Sequence, residues 1–211
     1  MTLKTPPRVR NTEATQLALL QAGARLFAEV GYEAATLERL AAAAGVTKAM
    51  VRYHFRDKAG LYRAVIEESI DHIAAAIIPV RDANITPQQK LSRYVAVLSL
   101  AIRERPHIGN LLMADYAAGR IAKEKALIAS LTRLMATTHA ILEEGRRKGA
   151  FRKLDPHTFH LWLVGAISFF VASERFRADA GGRSPWSEQP TFEQFVRLLQ
   201  SLALRGAASG D

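Results

Sequence analysis

Apolar residues recur every three to four positions along most of this chain, the spacing that places them on one face of an α-helix. The first such segment begins at Thr12 and ends before Gly31, a residue that tolerates the left-handed conformation common at helix C-termini. Its apolar face consists of Leu19, Ala22, Gly23, Leu26 and Phe27. The pattern predicts a long amphipathic first helix.

Capping residues divide the next part of the chain into shorter helices. Thr36 is suited to be the N-cap of a second helix that ends at Gly45, and Thr47 the N-cap of a third. Asp57 is placed to cap a fourth helix. We expect Pro79 to end that helix, because proline lacks the backbone N–H that a helix interior uses.

Five further helices are predicted beyond this proline. The first opens with a Thr86-Pro87-Gln88-Gln89 capping box, in which a threonine and a glutamine cap each other's backbone. The five span about residues 86–105, 106–117, 121–148, 155–177 and 191–204. No stretch alternates apolar and polar residues with the period of two that is typical of a β-strand. The sequence therefore predicts an all-α fold.

The second and third predicted helices, across residues 36–55, have the spacing of a helix-turn-helix. If Val51 and Phe55 are buried, the opposite face of the third helix is exposed. That face carries Lys48, Ala49, Arg52 and Tyr53. Lysine and arginine bind guanine O6 and N7, and a methyl group contacts the thymine methyl, so the face has the chemistry of a major-groove reader.

The charge balance supports a polyanionic partner. Lys and Arg total 29 against 20 Asp and Glu, a formal net charge of +9. The most apolar stretch, Leu161–Ala172, is shorter than the ~20 residues of a membrane span, and no apolar core follows the basic N-terminus as in a signal peptide. We therefore expect a cytoplasmic protein that binds nucleic acid and not a membrane.

Residues 19–62 carry a set of positions in one register without gaps: Ala22, Leu26-Phe27, Gly31-Tyr32, Thr36, Leu40-Ala41, Ala44-Gly45-Val46-Thr47, Tyr53-His54-Phe55, Lys58 and Leu61. Through these residues the segment closely resembles the DNA-binding region of the tetracycline-repressor (TetR) family of bacterial regulators. The resemblance implies an N-terminal three-helix helix-turn-helix DNA-binding domain followed by a C-terminal helical domain that binds a ligand and dimerises.

The resemblance also implies roles for particular side chains. Phosphate or backbone contacts fall to Thr36, Thr47, Tyr53, His54 and Lys58, and base contacts to Lys48, Ala49 and Arg52. Position 52 is often an aromatic residue that touches phosphate in this family, and the arginine here favours base reading instead. Arg8 and Arg10 either enter the flanking minor groove or belong to a solvated basic tail.

By the same resemblance, the chain is a bacterial homodimeric repressor that a small-molecule effector releases from a palindromic operator. Residues 155–177 and 191–204 match the dimerising helices of the family. The predicted effector contacts are Arg103, Met113, Tyr116, His139, Trp162, Phe169 and Phe170. For Trp162, Phe169 and Phe170, each taken singly, a place in the plain core or the dimer interface is the favoured interpretation.

The corresponding domain division is a flexible basic arm over 1–11, a DNA-binding domain over 12–60, an effector-binding and dimerisation domain over 61–206, and a disordered tail over 207–211. One alternative is a ligand-independent DNA-binding protein whose C-terminal helices only dimerise. Another is a helical enzyme or interaction module with the helix-turn-helix as scaffold, although no catalytic constellation supports it. The pair His157 and His160 lacks a third ligand at suitable spacing, so we predict neither a metal nor a cofactor.

Overall fold

The computed structural model describes residues 8–120, 124–180 and 190–209. Its helices are α1 (Arg8–Ala34), α2 (Leu37–Ala43), α3 (Lys48–Phe55), α4 (Lys58–Asp82), α5 (Pro87–Glu104), α6 (Ile108–Ala117), α7 (Lys125–Arg147), α8 (Pro156–Ala172), α9 (Glu174–Ala180) and α10 (Phe192–Ala207). Within those ranges the extended pairing consists of one isolated bridge between Phe151 and Ala208. The predicted all-α fold is confirmed.

The capping residues act as their sequence positions predict. The side chains of Thr36, Thr47 and Asp155 each accept a hydrogen bond from the backbone N–H three residues later. Thr86 and Thr191 form complete capping boxes with the glutamine at the third helical position. These bonds satisfy N–H groups that the first turn of a helix leaves without partners, so they fix where each helix begins.

The chain forms two compact units, Met1–Glu68 and Ser69–Asp211, divided within α4. The division lies after the expected boundary at residue 60. The reason is that the first two turns of α4 pack onto α1. The Tyr62 ring meets the Phe27 and Tyr32 rings at centroid distances of 4.9 and 4.8 Å, and Val65 lies against Gly23.

In the N-terminal unit, α1 begins at Arg8, so residues 8–11 continue the first helix and do not belong to the flexible arm expected over 1–11. Residues 1–7 of that arm lie outside the described part of the chain. Near its end α1 breaks at Gly31, whose φ of 77° suits a residue without a Cβ. The core side chains of the unit include Leu19, Phe27, Leu40, Val51 and Leu61.

In the C-terminal unit, α5 packs against α7, α8 and α10. A chain of buried hydrogen bonds joins three of these helices. The Tyr94 hydroxyl and the Thr138 hydroxyl lie 2.6 Å apart, and Thr138 Oγ1 lies 2.9 Å from His160 Nδ1. All three side chains are buried, so each depends on the others to satisfy its polar atoms. His160 thus has a structural role in aligning these helices.

Further boundaries in the chain also differ from the sequence-based expectations. Helix α4 continues through Pro79 to Asp82, because a proline near the end of a helix removes a single backbone hydrogen bond. The expected helix over 155–177 is interrupted at Ser173, where α8 ends and α9 begins. The tail expected to be disordered from 207 is ordered through Ser209, whose hydroxyl donates to the Gly149 carbonyl oxygen.

In the described ranges, no helix is both long and apolar enough to cross a bilayer.

The buried histidine makes the stability of the C-terminal unit depend on pH. Burial lowers the pKa of His160 to about 4, from the 6.5 of an exposed histidine. Between these values the unfolded chain binds one more proton than the folded chain, so the free energy of unfolding falls as the pH drops from 6.5 towards 4. The loss from this group is on the order of 3 kcal/mol.

This expectation is tested by urea unfolding at a series of pH values from about 7.5 to 5. His160→Gln keeps a neutral polar side chain and removes the titration. The wild-type stability should therefore decline more steeply with falling pH than that of the variant. Parallel declines would show that His160 does not titrate differently in the folded state.

Candidate nucleic-acid interface

The second and third helices are held by a few buried side chains and a tight turn. Leu40 of α2 and Val51 of α3 are fully buried, and Phe55 is nearly so. Between the helices, Gly45 has a φ of 67°, a left-handed conformation that favours glycine. The Val46 N–H then donates to the Ala41 carbonyl oxygen at 3.0 Å, which closes the turn.

The opposite face of α3 is open to solvent. Lys48, Ala49, Arg52 and Tyr53 are all exposed, and the Tyr53 side chain has 75% of its surface accessible. Because Tyr53, Lys48 and Arg52 are exposed, they do not contribute to the core, and their side chains are available to a partner. The structure thus brings together, on one short helix, the residues predicted to read bases.

The two threonines predicted to contact phosphate are the caps of α2 and α3. Thr36 Oγ1 accepts from the Arg39 N–H at 3.2 Å, and Thr47 Oγ1 accepts from the Met50 N–H at 3.3 Å. Each hydroxyl acts as an acceptor in its cap. The Thr36 hydroxyl is also hydrogen-bonded to the Glu38 carboxylate. Both threonines are exposed, and the Thr47 hydroxyl can donate its proton to a phosphate oxygen without disturbing the cap.

An acidic side chain that the sequence did not mark as functional lies on the same surface. The Glu38 carboxylate, in the first turn of α2, forms an ion pair with the Lys48 ammonium group. The hydrogen bond from Lys48 is the main reason that the pKa of Glu38 lies below its ordinary value. The sequence does not reveal this ion pair, because no local spacing marks a partner ten residues away on another helix.

Lys58 has a structural contact in addition to its predicted contact with phosphate. Its ammonium group donates to the carbonyl oxygens of Tyr32 and Glu33, at 2.9 and 3.3 Å. It also lies 4.3 Å from the centre of the Tyr32 ring. The side chain therefore ties the start of α4 to the end of α1, and its positive charge meets the carbonyl end of that helix.

His54 lies between exposed Tyr53 and buried Phe55. Its ring is edge-on to the Tyr53 ring, at a centroid distance of 5.1 Å. Its Nε2 atom is buried and has no hydrogen-bond partner in the described part of the chain. Arg8 and Arg10 lie in the first turn of α1, and the structure does not describe their side chains.

In the described part of the chain, the residues predicted to contact an effector are divided between exposed positions and two separate cavities. Met113, Tyr116, Trp162 and Phe169 are exposed, at 41–76% of their surfaces. Arg103 and Phe170 line a cavity of about 220 Å³ near the ends of α5 and α8. His139 lines a wider groove of about 700 Å³ between α7 and the start of α8. Sequence spacing along single helices did not reveal which helix faces share a space.

Comparisons with known proteins match both units. The family model described as "Bacterial regulatory proteins, tetR family" matches residues 19–65, and "Tetracyclin repressor-like, C-terminal domain" matches residues 87–189. The HTH-type transcriptional regulator RutR of Escherichia coli (strain K12) is 24% identical over 202 residues, covering 96% of this chain and 94% of RutR. The HTH-type transcriptional repressor AcnR of Corynebacterium diphtheriae is 36% identical over 73 residues, covering 34% of this chain and 38% of AcnR.

A solved structure shares the fold. The TetR family transcription regulator from Marinobacter aquaeolei VT8 superposes with a TM-score of 0.76 at 18% identity, covering 95% of this chain and 99% of that one. The two family models together span most of the chain, and they assign to it the same helix-turn-helix and helical C-terminal domain that the structure contains. The chain therefore belongs to the TetR family of bacterial transcriptional regulators, which bind DNA through a helix-turn-helix.

Proposed function

We propose that this protein is a homodimeric repressor that binds a palindromic operator through α3 of each copy and is released by a small-molecule effector. The observation that carries the proposal is the exposed face of α3, where two cations, a methyl group and an aromatic ring stand on a helix anchored by buried side chains. An α-helix with such a face fits the major groove of B-DNA.

Within this proposal, Lys48, Ala49 and Arg52 contact base edges. The backbone contacts fall to Thr36, Thr47, Tyr53, His54 and Lys58, with Arg8 and Arg10 at the flanking minor groove. Base contacts set the sequence preference, while phosphate contacts set the register and most of the salt dependence. The net charge of +9 favours the encounter with DNA of any sequence.

Glu38 gives this surface a means of discrimination. In the free protein its carboxylate neutralises Lys48, so the lysine offers little charge to random DNA until the ion pair opens. A carboxylate on this surface repels phosphate and offers the acceptor that a cytosine amino group requires. Both effects penalise sequences that do not provide the right base edge, which favours the operator over other DNA.

Two helices of the C-terminal unit carry apolar faces that support dimerisation. On α8, Leu161, Gly165 and Phe169 recur every four residues, and Phe169 is 76% exposed. On α10, Leu198 and Leu202 are also four residues apart and exposed. A second copy would bury these faces by two-fold symmetry, and the same symmetry presents two recognition helices to the two halves of a palindrome.

The proposed base readers are tested by Lys48→Ala and Arg52→Ala. Each should weaken binding to the selected operator by about 1–3 kcal/mol, because a bidentate contact to guanine is lost, with a smaller effect on random DNA. The operator is first selected from a random duplex pool, and binding is then titrated at fixed salt. The control is Arg25→Ala, which removes a positive charge at an exposed position of α1. Equal losses in all three variants would contradict base reading by α3.

The role of Glu38 is tested by Glu38→Gln. Freeing Lys48 should strengthen binding to random DNA and steepen the dependence of log K on log salt by up to about 0.9, the contribution of one phosphate contact. The ratio of operator affinity to random-DNA affinity should fall. Glu29→Gln, an exposed carboxylate on α1, is the matched control. If Glu38→Gln and Glu29→Gln behave alike, Glu38 has no special role.

The proposed dimer is tested by Phe169→Glu and Leu202→Glu. A buried, unpaired carboxylate is costly at an apolar interface, so each variant should sediment as a monomer at concentrations where the wild type is a dimer. Leu100→Glu, at an exposed leucine on α5, is the control. Both interface variants should also lose cooperative binding to the full palindrome. A dimer that persists in both would place the interface elsewhere.

A further inference from the structure

The smaller cavity of the C-terminal unit combines apolar walls with cationic groups. It has a volume of about 220 Å³ and lies where α5, α8, α9 and α10 approach one another. Its lining includes Arg103, Phe170, Val171, Glu174, Arg177 and Phe192. Cavities with apolar walls and a few polar groups are the usual form of a small-molecule site.

Each arginine in this lining lies over an aromatic ring. The Arg177 guanidinium carbon is 3.8 Å from the centre of the Phe170 ring, and that of Arg103 is 4.5 Å from the centre of the Phe192 ring. Phe170 is in turn stacked on Phe195, with ring centres 3.9 Å apart. Stacking restricts the guanidinium planes, so less conformational entropy is lost when they bind a planar anion.

The charges of the two arginines are not neutralised by an acidic side chain of the described residues. Within the described residues, neither Arg103 nor Arg177 has a carboxylate at ion-pair distance. Arg177 uses one terminal nitrogen for the Phe170 carbonyl and the Ser173 hydroxyl, each at 2.5 Å, which leaves its other N–H groups for a further acceptor. With Glu174, the lining carries two positive charges and one negative charge, a balance that suits a ligand with a single negative charge.

We propose that this cavity binds a monocarboxylate that carries a benzene ring or a short alkyl chain. The carboxylate lies between the guanidinium groups of Arg103 and Arg177, and the apolar part contacts Phe170, Val171 and Phe192. Arginine is suited to this because its forked N–H groups match the two carboxylate oxygens. The size agrees as well, since an apolar cavity of about 150 Å³ holds benzene.

This inference names the chemical class of the effector, a monocarboxylate. It therefore rests on the part of the proposed function in which an effector releases the operator. Its binding test uses no DNA, so failure of the cavity and failure of operator binding are distinguishable. Ligand binding tests whether the cavity is a carboxylate site. Selection from random DNA tests whether the protein binds a specific operator.

The test is calorimetric titration of the full-length protein with phenylacetate and hexanoate, and with their neutral amides, phenylacetamide and hexanamide. The carboxylates should bind and the amides should bind roughly ten- to hundredfold more weakly, because a charge-assisted hydrogen bond is lost. Comparison of the two carboxylates distinguishes an aromatic from an alkyl ligand. Equal affinity for acid and amide, or no heat for either acid, would overturn the proposal.

Matched variants locate the binding. Arg103→Gln should weaken carboxylate affinity by at least about tenfold. Because the Arg103 side chain is exposed, the melting temperature of the free protein should stay unchanged. Arg177→Lys keeps the charge and loses the fork, so an intermediate loss is expected. Arg205→Gln, near the opposite end of α10, should bind as the wild type does. If Arg103→Gln binds as tightly as Arg205→Gln, the carboxylate is bound elsewhere and the proposal fails.

Discussion

The DNA-binding unit depends on the anchoring of an eight-residue helix that must keep most of its surface exposed. A helix as short as α3 is not stable in isolation, because nucleating it costs more than its few hydrogen bonds return. Its stability comes from the burial of Val51 and Phe55, from the Thr47 cap and from the turn at Gly45. The helix can present polar and aromatic side chains to a partner because those few contacts hold it.

The turn after α3 is constrained just as closely. Arg56 has a φ of 67°, the one positive φ at a non-glycine residue among those described. Asp57 then caps α4 through the Gly60 N–H at 2.7 Å. A Cβ at Gly60 would lie 2.0 Å from the Phe55 carbonyl oxygen, so the chain can pass here only with glycine. Lys58 fixes the other side of the turn against the end of α1. These contacts set the direction in which α3 faces.

The C-terminal unit is built differently, around long helices with two kinds of face. The inner faces are mostly apolar, and the hydrogen-bonded chain of Tyr94, Thr138 and His160 crosses them. Because an unsatisfied buried polar group is costly, these three side chains are matched to one another and specify how α5, α7 and α8 align. The outer faces of α8 and α10 are also apolar, which is the feature that a monomer does not explain and the proposed dimer does.

The sequence by itself determined the elements and their family, because caps, glycines and helical periodicity are local signals carried by neighbouring residues. Thr36, Thr47 and Thr86 were identifiable for this reason, and so was the exposed face of α3. Tertiary structure alone decided which distant residues meet: the pairing of Glu38 with Lys48, and the gathering of Arg103 and Arg177 at one cavity. Those contacts depend on how helices pack, and no spacing along the chain encodes a meeting between separate helices.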